Sequence, residues 1–276
     1  FAKIALICYV ARSISAKQDY IKSFKTAFVP IMLPVLVVCG LIAPSNFSTS
    51  ALLFVCCIMM LFVGRVSIKY ILILGLFGIL MFAFLIFIGQ FLPDSIRVST
   101  WISRINEFIY VEEGGYQVQQ AKIAIARGGL FGQGPGNSML RNFIPYSYAD
   151  FIYAIICEEW GILLGGIGLI VIYLMLLGHC VSVVTKTPKA FGAMLTIGIG
   201  FNIVMQAFAN MGVSLGVVPV TGLTLPFVSM GGTSLLFTSI AFGMIISVSK
   251  NINALKLEPD THVDLDQNVS SNEAID

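Results

Sequence analysis

Long apolar runs separated by short polar ones dominate this chain. A bilayer core about 30 Å thick needs roughly 20 apolar residues at about 1.5 Å of helical rise each. By that ruler seven segments read as membrane helices: residues 1–13 (a span already under way at the first residue), 27–44, 47–64, 67–92, 151–178, 190–213 and 225–249. Pro30 and Pro34 fall inside the second, where neighbouring helices can satisfy the carbonyl a proline leaves free. The pattern breaks once. Residues 93–149 carry charges of both signs, no long apolar run and turn signals at Gly114-Gly115 and Gly128-Gly129, which makes them one large loop outside the membrane. Within it, 116–127 reads as a short amphipathic helix against the membrane surface, with Val118, Ile123 and Ile125 as its apolar component. Beyond Lys250 the chain turns acidic and polar, and a disordered tail is expected. The predicted architecture is an all-α integral membrane protein, a polytopic helical bundle. It divides into membrane helices over 1–92 (the first truncated), a large extracytoplasmic loop over 93–149, three membrane helices over 150–249, and a cytoplasmic tail over 250–276.

Composition agrees with that pattern and narrows the partners. Of 276 residues 57% are hydrophobic and 11% charged, less than half the roughly 25% charged share of soluble domains. A net charge of +2, with basic residues dispersed, excludes nucleic acid as the expected partner. Six cysteines sit in or beside apolar runs without metal-ligand spacing, so neither a disulfide nor a zinc site is predicted. Without an initiator Met or a signal-peptide layout, the sequence is read as the back portion of a longer protein. Lys and Arg in the loops set the orientation. Arg12, Lys17, Lys22, Lys25, Arg65, Lys69, Lys186, Lys189, Lys250 and Lys256 gather on one face, while the short loops 44–46 and 214–224 of the other carry no charge. The first face is therefore expected to be cytoplasmic, which places 93–149 and Asp150 outside.

The candidate chemistry lies where the glycine-rich run 128–138 leads, through Pro145, to Asp150 at the head of a membrane span. Asp150 is either the N-cap of that helix or a partly desolvated general base, and the two roles are compatible. Lys3, a charge within a span, either snorkels to the headgroups or finds a partner, and Asp150 at similar depth is one candidate. Glu158 and Glu159 lie about two turns into the span, roughly 12 Å deeper than Asp150, with Glu158 the nearer to its face. Each admits a structural hydrogen bond to another helix or a place on a polar cavity. The glycine run fits neither dinucleotide nor Walker spacing, and by itself reads as a flexible loop. Arg97, Arg104, Lys122, Arg127 and Arg141 accompany Asp94, Glu107, Glu112, Glu113 and Asp150, as a solvated surface or as a site for an anionic headgroup. Residues 219–232 read as a turn before the last span or as a packed re-entrant wall lining the Asp150 cavity.

The run Gly-Gly-Leu-Phe-Gly-Gln-Gly-Pro-Gly-Asn-Ser from Gly128 to Ser138 resembles the SEDS family (shape, elongation, division and sporulation). So do Pro145, Asp150-Phe151-Ile152-Tyr153-Ala154-Ile155, Glu158-Glu159-Trp160-Gly161, Asn210-Met211-Gly212 and the string from Pro219 to Ser234. Phe1-Ala2-Lys3 is similar to the end of that family's Gln-Pro-Ser-Glu-Phe-Ala-Lys stretch, and Gly115-Tyr116-Gln117 with Gln120 also matches. The Gly-x-Gly-x-Gly-Asn-Ser form is similar to the family's division branch. Tyr146-Ser147-Tyr148-Ala149 departs from the Glu, small residue, His and Thr of many members, as do Asn142 from Glu and 43–47 from Gln-Pro-Asp-Leu-Gly, so the roles of those polar residues do not carry over.

The resemblance implies ten membrane helices, of which these would be the last seven. It also implies glycosyltransfer in the cell-division septum, polymerising lipid II at the outer face of the cytoplasmic (inner) membrane and releasing undecaprenyl pyrophosphate. The family's catalytic carboxylate falls on Asp150, its membrane lysine on Lys3 and its loop arginine on Arg97. Gln120, Asn137, Ser138, Glu158, Pro219, Ser229, Gly231 and Gly232 join Lys3 and Arg97 as expected substrate contacts. No residue is assigned to a metal, and a divalent cation, Mg or Mn, is left open as a cofactor. The implied partners are lipid II with its growing glycan chain, a single-pass class B penicillin-binding protein transpeptidase and other division proteins. A lipid flippase and a scaffold for the transpeptidase are the rival readings.

Overall fold

A membrane helix that is polar along one stripe and apolar elsewhere belongs inside the bundle, because lipid cannot satisfy its amides. Residues 190–214 have that pattern, with Asn202, Gln206, Asn210 and Ser214 spaced four apart on one face. The computed structural model, which describes residues 1–89, 98–110, 115–144 and 147–272, puts this helix at the centre. In its most apolar stretch 72% of the residues are buried, against 17% for Ile152–Lys186 and 11% for Gly232–Ile252.

Around it the chain is helical, with no strand among the described residues: α1 Ala2–Ala16, α2 Val29–Ile42 entered through a π-helical turn Phe24–Phe28, α3 Phe47–Val63, α4 Ile68–Gly89, α5 Val98–Tyr110, α6 Tyr116–Gly128, the single turns α7 Leu140–Phe143 and α8 Ser147–Asp150, α9 Ile152–Gly161, α10 Gly168–Lys186, the central α11 Ala190–Ser214, and α12 Gly232–Asn272. α1, α3, α9, α10 and α12 all pack on α11. The approach is close because small residues face the neighbours: Gly198 lies against Met60 and Ile7, and Gly200 against Cys180. Among the described residues four helices are long and apolar enough to cross a membrane, Phe24–Ile42, Ile152–Lys186, Ala190–Ser214 and Gly232–Ile252, with Phe47–Val63 and Ile68–Met81 as shorter apolar helices. The chain is an all-α integral membrane protein.

Local chemistry explains several boundaries. Pro34 cannot donate to the Pro30 carbonyl one turn back, and the Tyr9 hydroxyl donates to it instead at 2.8 Å. Asn46 caps α3 by accepting from the Thr49 amide at 3.1 Å.

Three expectations change. The last membrane helix begins at Gly232, not 225, because 219–231 is apolar but irregular and finds its backbone partners in neighbouring segments. α12 continues to Asn272 where a disordered tail was expected; Ala254, Leu255, Lys256, Leu257 and Glu258 are good helix formers, so propensity carries the helix past the apolar stretch as far as Pro259. In α6 the inward face is Val118, Ala121, Ala124 and Gly128, packed on α9, while Ile123 is exposed. Close approach to another helix, rather than apolar bulk, decides that face.

Candidate functional site

The glycine-rich loop is fixed in place. Gly161 has φ 78° and ψ 170°, so the helical path breaks there between α9 and the π-helical turn Ile162–Ile167. The loop enters that break: the amides of Gln133 and Gly134 donate to the carbonyls of Glu158 and Glu159 at 2.9 and 3.0 Å, and the Ile162 amide donates back to Gly129 at 2.8 Å. Backbone lies on backbone, so a β-carbon at Gly128 would strike the Cys157 carbonyl, one at Gly132 the Glu159 carbonyl, and one at Gly161 the Leu130 carbonyl. Glu158 closes the arrangement. It is 1% exposed and accepts from the Ser138 hydroxyl at 2.5 Å and from the amides of Met139 and Leu140 at 3.2 Å each. Its expected place among substrate contacts is corrected accordingly. The carboxylate is used up by the loop and by the start of α7, and Ser138, 2% exposed, is committed to the same latch. Of the loop residues expected to meet substrate, Asn137 stays exposed, its amide nitrogen donating to the Gln133 carbonyl, and Gln120 is half-buried on α6.

Beside the latch, residues 219–231 run as irregular backbone against the end of α11. The Asn210 amide nitrogen donates to the carbonyls of Asp150 and Leu223 at 2.8 and 2.7 Å, tying the two segments together. One helical turn along α11, the Gln206 amide nitrogen donates to the Thr224 carbonyl at 2.8 Å, and its oxygen accepts from the Lys3 ammonium at 3.1 Å. Ser229 accepts from the Leu225 amide and donates to the Ala149 carbonyl at 2.6 Å, and the Met230 amide donates to Tyr148 at 3.3 Å. Tyr173 donates to Pro226 from α10. The segment thus stands directly against the backbone of 148–150. The Gly231 β-position meets only Ser234, at 3.5 Å, and the Gly232 position is open. Lys3 is held by Gln206, so the pairing of its ammonium with Asp150 gives way to a link through α11.

Asp150 ends α8 and is half-buried; the N-cap of α9 is Phe151, with no side-chain cap, so the capping role is corrected as well. Among the described residues none donates a hydrogen bond to its carboxylate. Partial burial holds that carboxyl above the usual carboxylate range, while the Arg104 guanidinium pulls it the other way. Arg104, on α5, also donates to the Val220 carbonyl at 3.2 Å. Arg97 lies outside the described residues, as does Pro145. A divalent ion asks for several oxygen ligands. Among the described residues no three His, Cys, Asp or Glu come together, so they form no all-protein cage for a divalent ion.

Sequence reasoning named Arg104 only among the loop cations and passed over Gln206. Their signals were present: Gln206 sits four residues before Asn210 within an apolar span, and a lone amide stripe there must face partners.

A polytopic helical membrane protein whose half-buried carboxylate stands beside an irregular re-entrant wall is the class this geometry defines. Residues 1–254 match the family described as cell cycle protein, FtsW/RodA/SpoVE, and the chain belongs to that family. It is 34% identical over 252 residues to stage V sporulation protein E of Bacillus subtilis, covering 91% of this chain and 67% of that protein. It is 36% identical over 250 residues to the probable peptidoglycan glycosyltransferase FtsW of Geobacter metallireducens (90% and 65%), and 35% identical over 277 residues to the probable peptidoglycan glycosyltransferase FtsW of Bacillus subtilis (94% and 66%). The chain spans about two thirds of the length of these relatives. Among solved structures it shares its fold with a chain of a peptidoglycan synthase complex that coordinates polymerization and crosslinking, at TM-score 0.71 and 23% identity over 91% of this chain and 68% of that one. The rod shape determining protein RodA of Thermus thermophilus, solved as a mutant, follows at TM-score 0.60 and 21% identity, over 90% and 64%.

Proposed function

We propose that this chain carries the catalytic end of a peptidoglycan glycosyltransferase that polymerises lipid II at the outer face of the cytoplasmic membrane during cell division, with its C-terminus inside. The observation that carries the reading is Asp150: a half-buried carboxylate without a donor among the described residues, fixed through its backbone by Asn210 and neighboured by a cation. The relatives named as peptidoglycan glycosyltransferases supply the substrate class.

In this reading Asp150 takes the proton from the acceptor sugar hydroxyl as its oxygen bonds to the donor's anomeric carbon. The bond from that carbon to the lipid pyrophosphate breaks, and Arg104 and Lys3 stabilise the departing anion. An α-linked donor giving a β-linked polymer means inversion, for which one base suffices. In the same reading Gln120, Asn137, Pro219, Gly231 and Gly232 shape the surface around the sugars, and Ser229, buried and bonded to Leu225 and Ala149, holds the wall behind it. The loop 93–149 and neighbouring helices would meet a class B penicillin-binding protein transpeptidase.

Reconstitution tests the activity. Purified protein given lipid II in liposomes is expected to release undecaprenyl pyrophosphate and form glycan chains. Leaflet exchange of lipid II without polymer would make it a flippase, and neither activity would leave a scaffold.

A pH prediction follows from Asp150. The base acts only when ionised, so activity is lost as pH falls through its raised pKa. The acidic limb of kcat/KM should therefore lie above the ~3.9 of a free aspartate. Arg104→Gln removes the pull that lowers this pKa, so the limb should move to still higher pH, along with a lower rate. A limb left in place by the substitution would uncouple Arg104 from Asp150.

A further inference from the structure

Arg104 stands at the end of a second feature. Between α3 and α11 runs a groove of about 600 Å³, within the range of small-molecule sites. Its walls are Ala51, Leu52 and Val55 on one side and Met205 and Phe208 on the other, with Trp101 across the top. α5 is clamped over the mouth: Trp101 packs on Phe47 with ring centroids 4.8 Å apart, and Arg104 reaches the Val220 carbonyl. Among the described residues the guanidinium is the one charged group in the lining. The far wall is residues 218–223, the segment whose Leu223 carbonyl shares Asn210 with Asp150.

An apolar groove in a membrane helix bundle attracts any acyl chain, so shape alone names no occupant. Charge and position do. A cation at the membrane-surface end of an apolar channel complements an amphiphile with an anionic head and a hydrocarbon tail. Arg104 bonds the Val220 carbonyl of the segment that Asn210 ties to Asp150, so an anion held there lies on the same wall as the proposed base. In glycosyl transfer only the donor has its pyrophosphate on the carbon under attack; the acceptor's pyrophosphate is at the other end of its sugar from the reacting hydroxyl. We propose that the groove between α3 and α11 holds the polyprenyl chain of the donor lipid, with its pyrophosphate at Arg104. This rests on the glycosyltransferase reading and adds to it the path of the leaving group's tail.

Two measurements test it separately from that reading. The first needs no turnover: a polyprenyl pyrophosphate carrying a photoreactive group on its chain, added to the purified protein in liposomes, is expected to label peptides of α3 and α11. Excess undecaprenyl pyrophosphate should suppress the labelling and excess phosphatidylglycerol should not. Equal suppression by both would mean that the groove holds bulk lipid, and labelling confined to other helices would place the tail elsewhere; either overturns the proposal. The second uses kinetics. Ala51→Trp and Ala209→Trp fill the groove, and each should lower kcat/KM for a full-length polyprenyl donor at least tenfold while changing that for a truncated-chain donor little. Leu72→Trp, on the exposed face of α4, should change neither. Equal loss with both donors would overturn the proposal. Wild-type protein that labels in the groove but forms no polymer would instead refute the activity and leave the lipid site standing.

Discussion

Asp150→Asn is expected to give a folded, membrane-inserted protein whose polymerisation of lipid II is at least ~100-fold slower than wild type, the lower end of what a positioned general base contributes. The geometry makes this a clean substitution. The side chain caps no helix, since Phe151 holds the N-cap position of α9, and the ties that fix residue 150 run through its carbonyl to Asn210. Asparagine keeps the shape and that carbonyl while removing the proton acceptor, so a loss of rate reports chemistry rather than folding. The binding arm should be unaffected: labelling of the α3–α11 groove by the polyprenyl probe is expected to match wild type. Glycan yield near the wild-type level would dismiss Asp150 as the base.

The positions of the apolar helices were legible in the chain because a membrane demands long apolar runs, and length alone separates them from loops. Relations between helices were less legible. Hydropathy ranks α11 among the less apolar spans, and the fact that it is central comes instead from Asn202, Gln206, Asn210 and Ser214 recurring every four residues. The start of the last span was misplaced because Leu225, Pro226, Phe227 and Val228 are apolar yet not helical. The Leu225 amide and the Pro226 carbonyl are satisfied by Ser229 and Tyr173, side chains that periodicity does not connect to them.

At the site, Asp150 was recognisable as a carboxylate at the threshold of a span, and the Pro219 to Gly232 string could be read as a wall beside it. The tie between Asp150 and Asn210 spans 60 residues and has no local signature. Glu158 shows the limit most clearly. Its spacing from Asp150 invited a shared cavity, whereas its burial follows from a loop 20 residues earlier that needs an acceptor for two amides and a hydroxyl.

That loop carries the other large expected effect. Glycine runs read as flexible because glycine has the most backbone freedom, yet freedom of φ also allows backbone to lie on backbone. Gly132 and Gly136 separate the two reasons for glycine. Both have positive φ, 84° and 81°, so a β-carbon at either incurs the left-handed penalty of roughly 1–2 kcal/mol. At Gly136 nothing lies within 4 Å of the added atom. At Gly132 the atom would collide with the Glu159 carbonyl and the Gly161 amide, both backbone groups that cannot swing aside. Relief there requires drawing the loop out of the α9 break, which breaks the Gln133 and Gly134 hydrogen bonds and strains the Glu158 latch. Gly132→Ala is therefore expected to destabilise by at least ~3 kcal/mol, in the range reserved for core collisions and backbone strain, and Gly136→Ala by about 1–2 kcal/mol. Thermal unfolding in detergent, with proteolysis of the 128–140 loop as the local readout, should rank wild type above Gly136→Ala and both well above Gly132→Ala. Equal effects of the two substitutions would mean that the loop does not sit in the helix break, and the orientation of the Asp150 threshold would then need another support.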